Sequence, residues 1–128
     1  MLIAAQILAA LAALLHVYIF WMESFAWEQA STRAVFGTGS VENARATKDL
    51  AYNQGFYNLF LALITLVGLA LMWAGQDAPG AALIFAGAGS MLAAAIVLTI
   101  SGKKYRGAAI KQGTLPALAI ICLALALI

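Results

Sequence analysis

The sequence predicts an all-α integral membrane protein, a four-helix transmembrane bundle with its N and C termini on the non-cytoplasmic side. Four long uncharged apolar runs, Leu2 to Met22, Leu50 to Gln76, Ala78 to Gly102 and Gln112 to Ile128, are each near the ~20 residues a helix needs to cross a bilayer core. All seven Lys and Arg residues fall between those runs, in Arg33 to Lys48 and Lys103 to Lys111. Short cytoplasmic loops collect Lys and Arg, so the first and third connections are expected in the cytoplasm, with the Gln76 to Gly80 turn outside. In addition, 65% of the 128 residues are hydrophobic and only 9% are charged.

A hydrocarbon surrounding forces backbone polar groups to pair within a segment, which favours four helices over a barrel of weakly alternating strands. One domain over residues 1–128, in contact with the lipid bilayer, is therefore expected. The net charge of +2 reflects loop asymmetry, and no basic stripe with interleaved aromatics points to nucleic acid. Residues 1–25 lack a basic leading region and carry His16 and Glu23, so they read as a permanent helix rather than a secretory signal. The single cysteine, Cys122, sits inside the last apolar run as a packing residue, and no metal-ligand pattern is present.

In the first segment, Ala5, Ala9, Ala13, His16, Phe20, Glu23 and Trp27 recur at alternating steps of four and three, one stripe of an α-helix. Small residues let helices approach closely in lipid, so this stripe is expected to face the bundle. The second segment repeats the stepping with Gln54, Asn58, Leu61, Thr65, Gly68 and Met72. The two segments run antiparallel. With Glu23 level with Asn58, His16 lies ~10.5 Å deeper, level with Thr65, which predicts a polar column between them.

The third segment offers Ala86, Ser90 and Ala94 beside Gly87-Ala88-Gly89, a surface suited to close packing and to a homodimer. The fourth run spans only ~25 Å, so its helix is expected to begin before Lys111, with Gln112, Leu115, Ala119, Cys122 and Ala126 inward. Pro116 is expected in its first turns. In the long first loop, Ser40 followed by Glu42, Arg45 and Lys48 reads as a capped helix start, with Phe36-Gly37 as an apolar foot and turn before it. Asn53-Gln54-Gly55 and Lys111-Gln112-Gly113 form a weak internal echo that hints at two related hairpins.

Glu23, Asn53, Gln54, Asn58 and Gln112 collect at the cytoplasmic end, with His16 deeper and Trp27 and Tyr57 among the aromatics at the rim. An ionisable residue in a membrane segment is a functional hypothesis by default. Against it stands the reading of the amides as helix glue, at ~0.6 to 2 kcal/mol per contact. Three functional classes are open: a pocket for a small lipophilic or amphipathic molecule, with His16 and Glu23 as proton carriers or ligands; a proton-coupled small-molecule transporter; and an accessory subunit without chemistry. No cofactor is specified, since a single His per chain would need a second subunit for a bis-His haem. Four helices and a membrane Glu are shared with the small multidrug resistance proteins, whose balanced loop charges this chain lacks.

The order His16, Glu23 with Trp27-Glu28, Phe36-Gly37, Asn53-Gln54-Gly55-Phe56-Tyr57-Asn58 and Lys111-Gln112-Gly113-Thr114-Leu115-Pro116-Ala117 resembles the bacterial membrane proteins grouped as domain of unknown function 1304. The likeness covers essentially the whole chain, and the strings at Asn53 and Gln112 are its most specific parts. The resemblance implies a small multi-pass protein of the bacterial inner membrane. Its polar positions map onto His16, Glu23, Asn53, Gln54, Tyr57, Asn58 and Gln112, and it supplies no substrate.

Overall fold

The computed structural model describes residues 1–128. Six helices follow one another: α1 (Leu2–Ser24), α2 (Ala30–Phe36), α3 (Val41–Ala46), α4 (Lys48–Trp73), α5 (Asp77–Ser101) and α6 (Arg106–Leu127). Four of them, α1, α4, α5 and the last, which with its leading turn runs Lys103–Leu127, are long and apolar enough to cross a membrane. They form an up-down-up-down bundle in which each long helix packs on its two neighbours: α1 on α4 and α6, and α5 on α4 and α6. The two short helices and the 3₁₀ turn Lys103–Tyr105 gather at one end, the basic end of the bundle.

Each connection has a local cause. At the end of α1 the amides of Phe25 and Ala26 both turn back to the Trp21 carbonyl. Gly37 ends α2 in the left-handed region at φ 66°, a conformation that costs a residue with a Cβ. Ser40 caps α3 as expected, its hydroxyl accepting from the Asn43 amide at 3.2 Å. The preceding α2 is an element the composition of the loop did not announce. At the opposite end, α4 and α5 are joined by a tight turn through Gly75, also left-handed at φ 78°.

The four long helices are apolar around their whole circumference, so size rather than polarity separates inside from outside. The buried face of α1 is built from Ala5, Ala9, Ala12 and Ala13, while Ile3, Ile7, Leu11 and Leu14 face outward. In lipid a leucine gains little by turning inward, and small residues gain by letting backbones approach. A Cβ placed on Gly68 would lie 2.8 Å from the Gly80 carbonyl oxygen, and one on Gly113 only 2.7 Å from the Ala95 Cβ. Gly55 is pressed in the same way against Ser24, Phe20 and Glu23 of α1. The two glycines of the internal echo thus play matching parts, Gly55 closing α4 onto α1 and Gly113 closing α6 onto α5.

α5 divides its small residues between two sides, and the face expected inward on α6 is rotated. α5 buries Gly87 and Ala88 together with Ile84, Met91 and Ala95, but Ala86, Ser90 and Ala94 lie on its outer side. α6 buries Ala109, Gly113, Pro116, Ala119 and Leu123, one position round from the expected stripe, and leaves Gln112, Leu115, Cys122 and Ala126 half-buried. α6 does begin before Lys111, at Arg106, which puts Pro116 in the helix interior rather than in the first turns. There its missing N–H frees the Gln112 carbonyl from the helix ladder.

Candidate functional site

The basic end of the bundle is organised by three residues just beyond α1. Glu28 receives Arg45 at 3.1 Å and Lys48 at 2.9 Å, the two ion pairs of the structure. Its carboxyl is held below the ordinary glutamate value, by the Lys48 hydrogen bond first and the Arg45 bond second. Arg33 of α2 donates to the backbone carbonyls of Glu28 and Gly39, at 3.1 and 2.6 Å, which folds the α2 to α3 loop back on its own start. Trp27 completes the frame. Its Nε1 donates to Thr47 Oγ1 at 3.1 Å and its ring lies 5.1 Å from that of Phe36.

Trp27 therefore does not continue the inner stripe of α1, because the helix stops at Ser24 and the chain has already turned. Instead it forms one wall of a cavity of about 390 Å³ beneath α2 and α3. Phe36, Tyr105 and Leu98 supply the other apolar walls, and Thr38, Asn43 and Lys104 the polar ones. Such a size and mixture fit a small-ligand pocket. Lys104 stands 4.8 Å over the Tyr105 ring. The Thr38 hydroxyl is the one buried side-chain polar atom without a hydrogen-bond partner.

The residues singled out from the sequence divide into separate groups. Glu23 and Asn58 meet, Asn58 Nδ2 donating to Glu23 Oε2 at 2.7 Å and also to the Gln54 carbonyl at 3.3 Å. Glu23 and Gln54 line a shallow recess of about 240 Å³, whose edge Trp27 and Thr47 share with the larger cavity. His16 is 2% exposed and sits away from this group, its Nδ1 paired with the Ala12 carbonyl at 2.9 Å. Thr65 bonds to the Leu61 carbonyl and faces Gly87 of α5. No hydrogen bond joins His16 to Thr65, each of them bonding within its own helix.

Asn53 and Tyr57 lie on the exposed side of α4. Gln112 lines a third recess, of about 150 Å³, between α1, α2 and α6, together with Lys111. Lys111 consequently makes no ion pair with Glu23. Sequence reading passed over Thr38, Tyr105 and Lys104, which lie in loop and turn segments whose positions depend on how α2 and α3 fold over the bundle. It also passed over the packing role of Gly55, although that glycine stands inside the Asn53 to Asn58 string.

Four spanning helices with their soluble loops folded into a cap define a multi-pass helical membrane protein with a recess at its basic end. Residues 10–124 match the family model described as a protein of unknown function (DUF1304), and the chain belongs to that family. Comparison with curated proteins and with solved structures gave no match.

Proposed function

We propose that this protein binds a small amphipathic molecule at the cytoplasmic end of a bacterial inner-membrane bundle, with both termini outside. The single observation that carries the proposal is the 390 Å³ cavity under α2 and α3, which joins the aromatic walls of Trp27, Phe36 and Tyr105 to the polar side chains of Asn43 and Lys104. The seven basic residues at this end support the cytoplasmic assignment. Trp27 is the residue of the sequence-derived set that lines this cavity, while Glu23 and Gln54 border it through the adjoining recess.

The test is native mass spectrometry of the protein gently extracted in a nonionic detergent, followed by identification of whatever denaturation releases. A small molecule retained at one per chain, and lost in Trp27→Ala and in a cavity-filling Thr38→Phe, is the expected outcome. A chain that carries only bulk lipid in all three proteins would overturn the reading.

A second reading, proton-coupled transport, draws support from Glu23. The residue is 7% exposed, lies inside a spanning helix and has Asn58 as its side-chain partner. Under this reading Glu23→Gln abolishes proton-driven uptake of a solute by proteoliposomes and leaves binding intact.

A further inference from the structure

The cavity under α2 and α3 and the recess between α1, α2 and α6 share Val35, Phe36 and Ala108 as common wall. They lie side by side, with these three residues between them. The outer chamber holds the polar groups, Thr38, Asn43, Thr47 and Lys104. The inner one is lined on α1 by Leu15, Ile19 and Met22, a strip ~10.5 Å long that descends toward the apolar middle of the bundle. Lys111 and Gln112 stand at its α6 side.

Charge decides what kind of head the outer chamber takes. No carboxylate lines either chamber. Glu28 and Glu42, the acidic residues of the loop, line neither chamber; Glu28 is taken up by Arg45 and Lys48, and Lys104 makes no ion pair. The Lys104 ammonium and the Asn43 amide are both donors, suited to the oxygens of a phosphate or carboxylate.

We propose, resting on the amphipathic-ligand reading above, that the ligand is an anionic amphiphile with one alkyl chain. Its head lies beside Lys104 and Asn43, and its chain passes Ala108 into the groove between α1 and α6. A lipid tail is already in an apolar solvent and gains little from entering an apolar groove. Affinity for such a ligand therefore depends chiefly on the head, and what the groove adds is the difference between the parent protein and Ala108→Phe with the same ligand, not the effect of chain length alone.

The experiment uses the protein in phosphatidylcholine nanodiscs, with Trp21→Phe and Trp73→Phe so that fluorescence reports Trp27. Dodecyl phosphate, butyl phosphate and dodecyltrimethylammonium are titrated in turn. Saturable quenching by dodecyl phosphate is expected, with a Kd raised at least tenfold in Lys104→Gln and retained in Lys104→Arg. Ala108→Phe, which narrows the passage, is expected to raise the Kd for dodecyl phosphate and to leave that for butyl phosphate unchanged. Displacement by phosphatidylglycerol in the disc supports the proposal with a membrane lipid as the natural source; its failure to displace supports it with a soluble alkyl anion.

Equal binding of dodecyltrimethylammonium, or an unchanged Kd in Lys104→Gln, overturns the anionic assignment and leaves the amphipathic cavity standing. An unchanged Kd for dodecyl phosphate in Ala108→Phe overturns the chain groove alone. Absence of quenching by amphiphiles of either charge overturns this inference and the proposed function together.

Discussion

Asn58 Nδ2 donates to Glu23 Oε2 at 2.7 Å, joining two transmembrane helices through the carboxylate of a residue that is almost wholly buried. This contact is the one side-chain bond between α1 and α4 that involves an ionisable group, and it lies one helical turn from the closest approach of the two backbones at Gly55. Asn58→Leu removes the donor and leaves the carboxylate unpaired. A loss of about 0.6 to 2 kcal/mol is expected from thermal unfolding in nonionic detergent. Glu23→Gln keeps an acceptor oxygen for the Asn58 amide and is expected to cost less. A double-mutant cycle giving no coupling between the two positions would contradict the contact.

Gly55 decides whether that contact can form. A Cβ there would run into the Ser24 hydroxyl and would lie 3.0 Å from the Phe20 carbonyl oxygen and 3.2 Å from the Glu23 Cβ. Backbone oxygen cannot move aside as a flexible side chain can. Gly55→Leu is expected to lower stability by about 1 to 3 kcal/mol, in the manner of an overpacked core, and to break the Ser24 bond to the Tyr52 carbonyl. Gly89→Ala is the control. Nothing lies within 4 Å of a Cβ at Gly89, so melting should be unchanged or slightly raised.

Glu28 ties the cap to α4, and its contribution follows pH with a definite sign. Its carboxyl is depressed in the folded chain, by Lys48 and then Arg45. The stabilisation is therefore complete above the ordinary glutamate value and is lost as pH falls through the lowered folded value. Protection of the backbone amides in residues 30–48, measured against the intrinsic exchange rate at each pH, is expected to be high at neutral pH and to fall on acidification through that window. Glu28→Gln should lower that protection at neutral pH as well, and high salt should narrow the difference, since exposed pairs are screened. Unaltered exchange in Glu28→Gln would assign the closure of the cap to Arg33 and Trp27 instead.

Sidedness follows from the basic end. In a Cys122→Ala background, Glu42→Cys is expected to react with a membrane-impermeant maleimide only after permeabilisation, and Gln76→Cys in intact cells. Labelling of Glu42→Cys from outside would invert the topology and move the cavity to the other face of the membrane.

The four spanning helices, their limits within a few residues and the basic end were legible without the fold, because length, apolar runs and the confinement of Lys and Arg are properties of the chain alone. Ser40 as a helix cap and the pairing depth of Glu23 with Asn58 were legible for a similar reason: one is local chemistry, the other a matter of helical rise between antiparallel neighbours. The short helix Ala30–Phe36 was not, since seven residues in a loop carry too little periodicity to announce themselves.

Which way each helix faces was decided by the tertiary structure. Ala86, Ser90 and Ala94 lie outward while Gly87 and Ala88 lie inward, and both sets have the same small-residue character in the sequence. Lipid is as apolar as leucine, so it does not sort the faces of an apolar helix as water does, and only the fit of neighbouring backbones at Gly55, Gly68, Gly87 and Gly113 sets the rotation. The cavity shares that origin. Trp27, Thr38 and Lys104 are separated by as many as 77 residues in the chain and meet only because the cap folds back across the bundle.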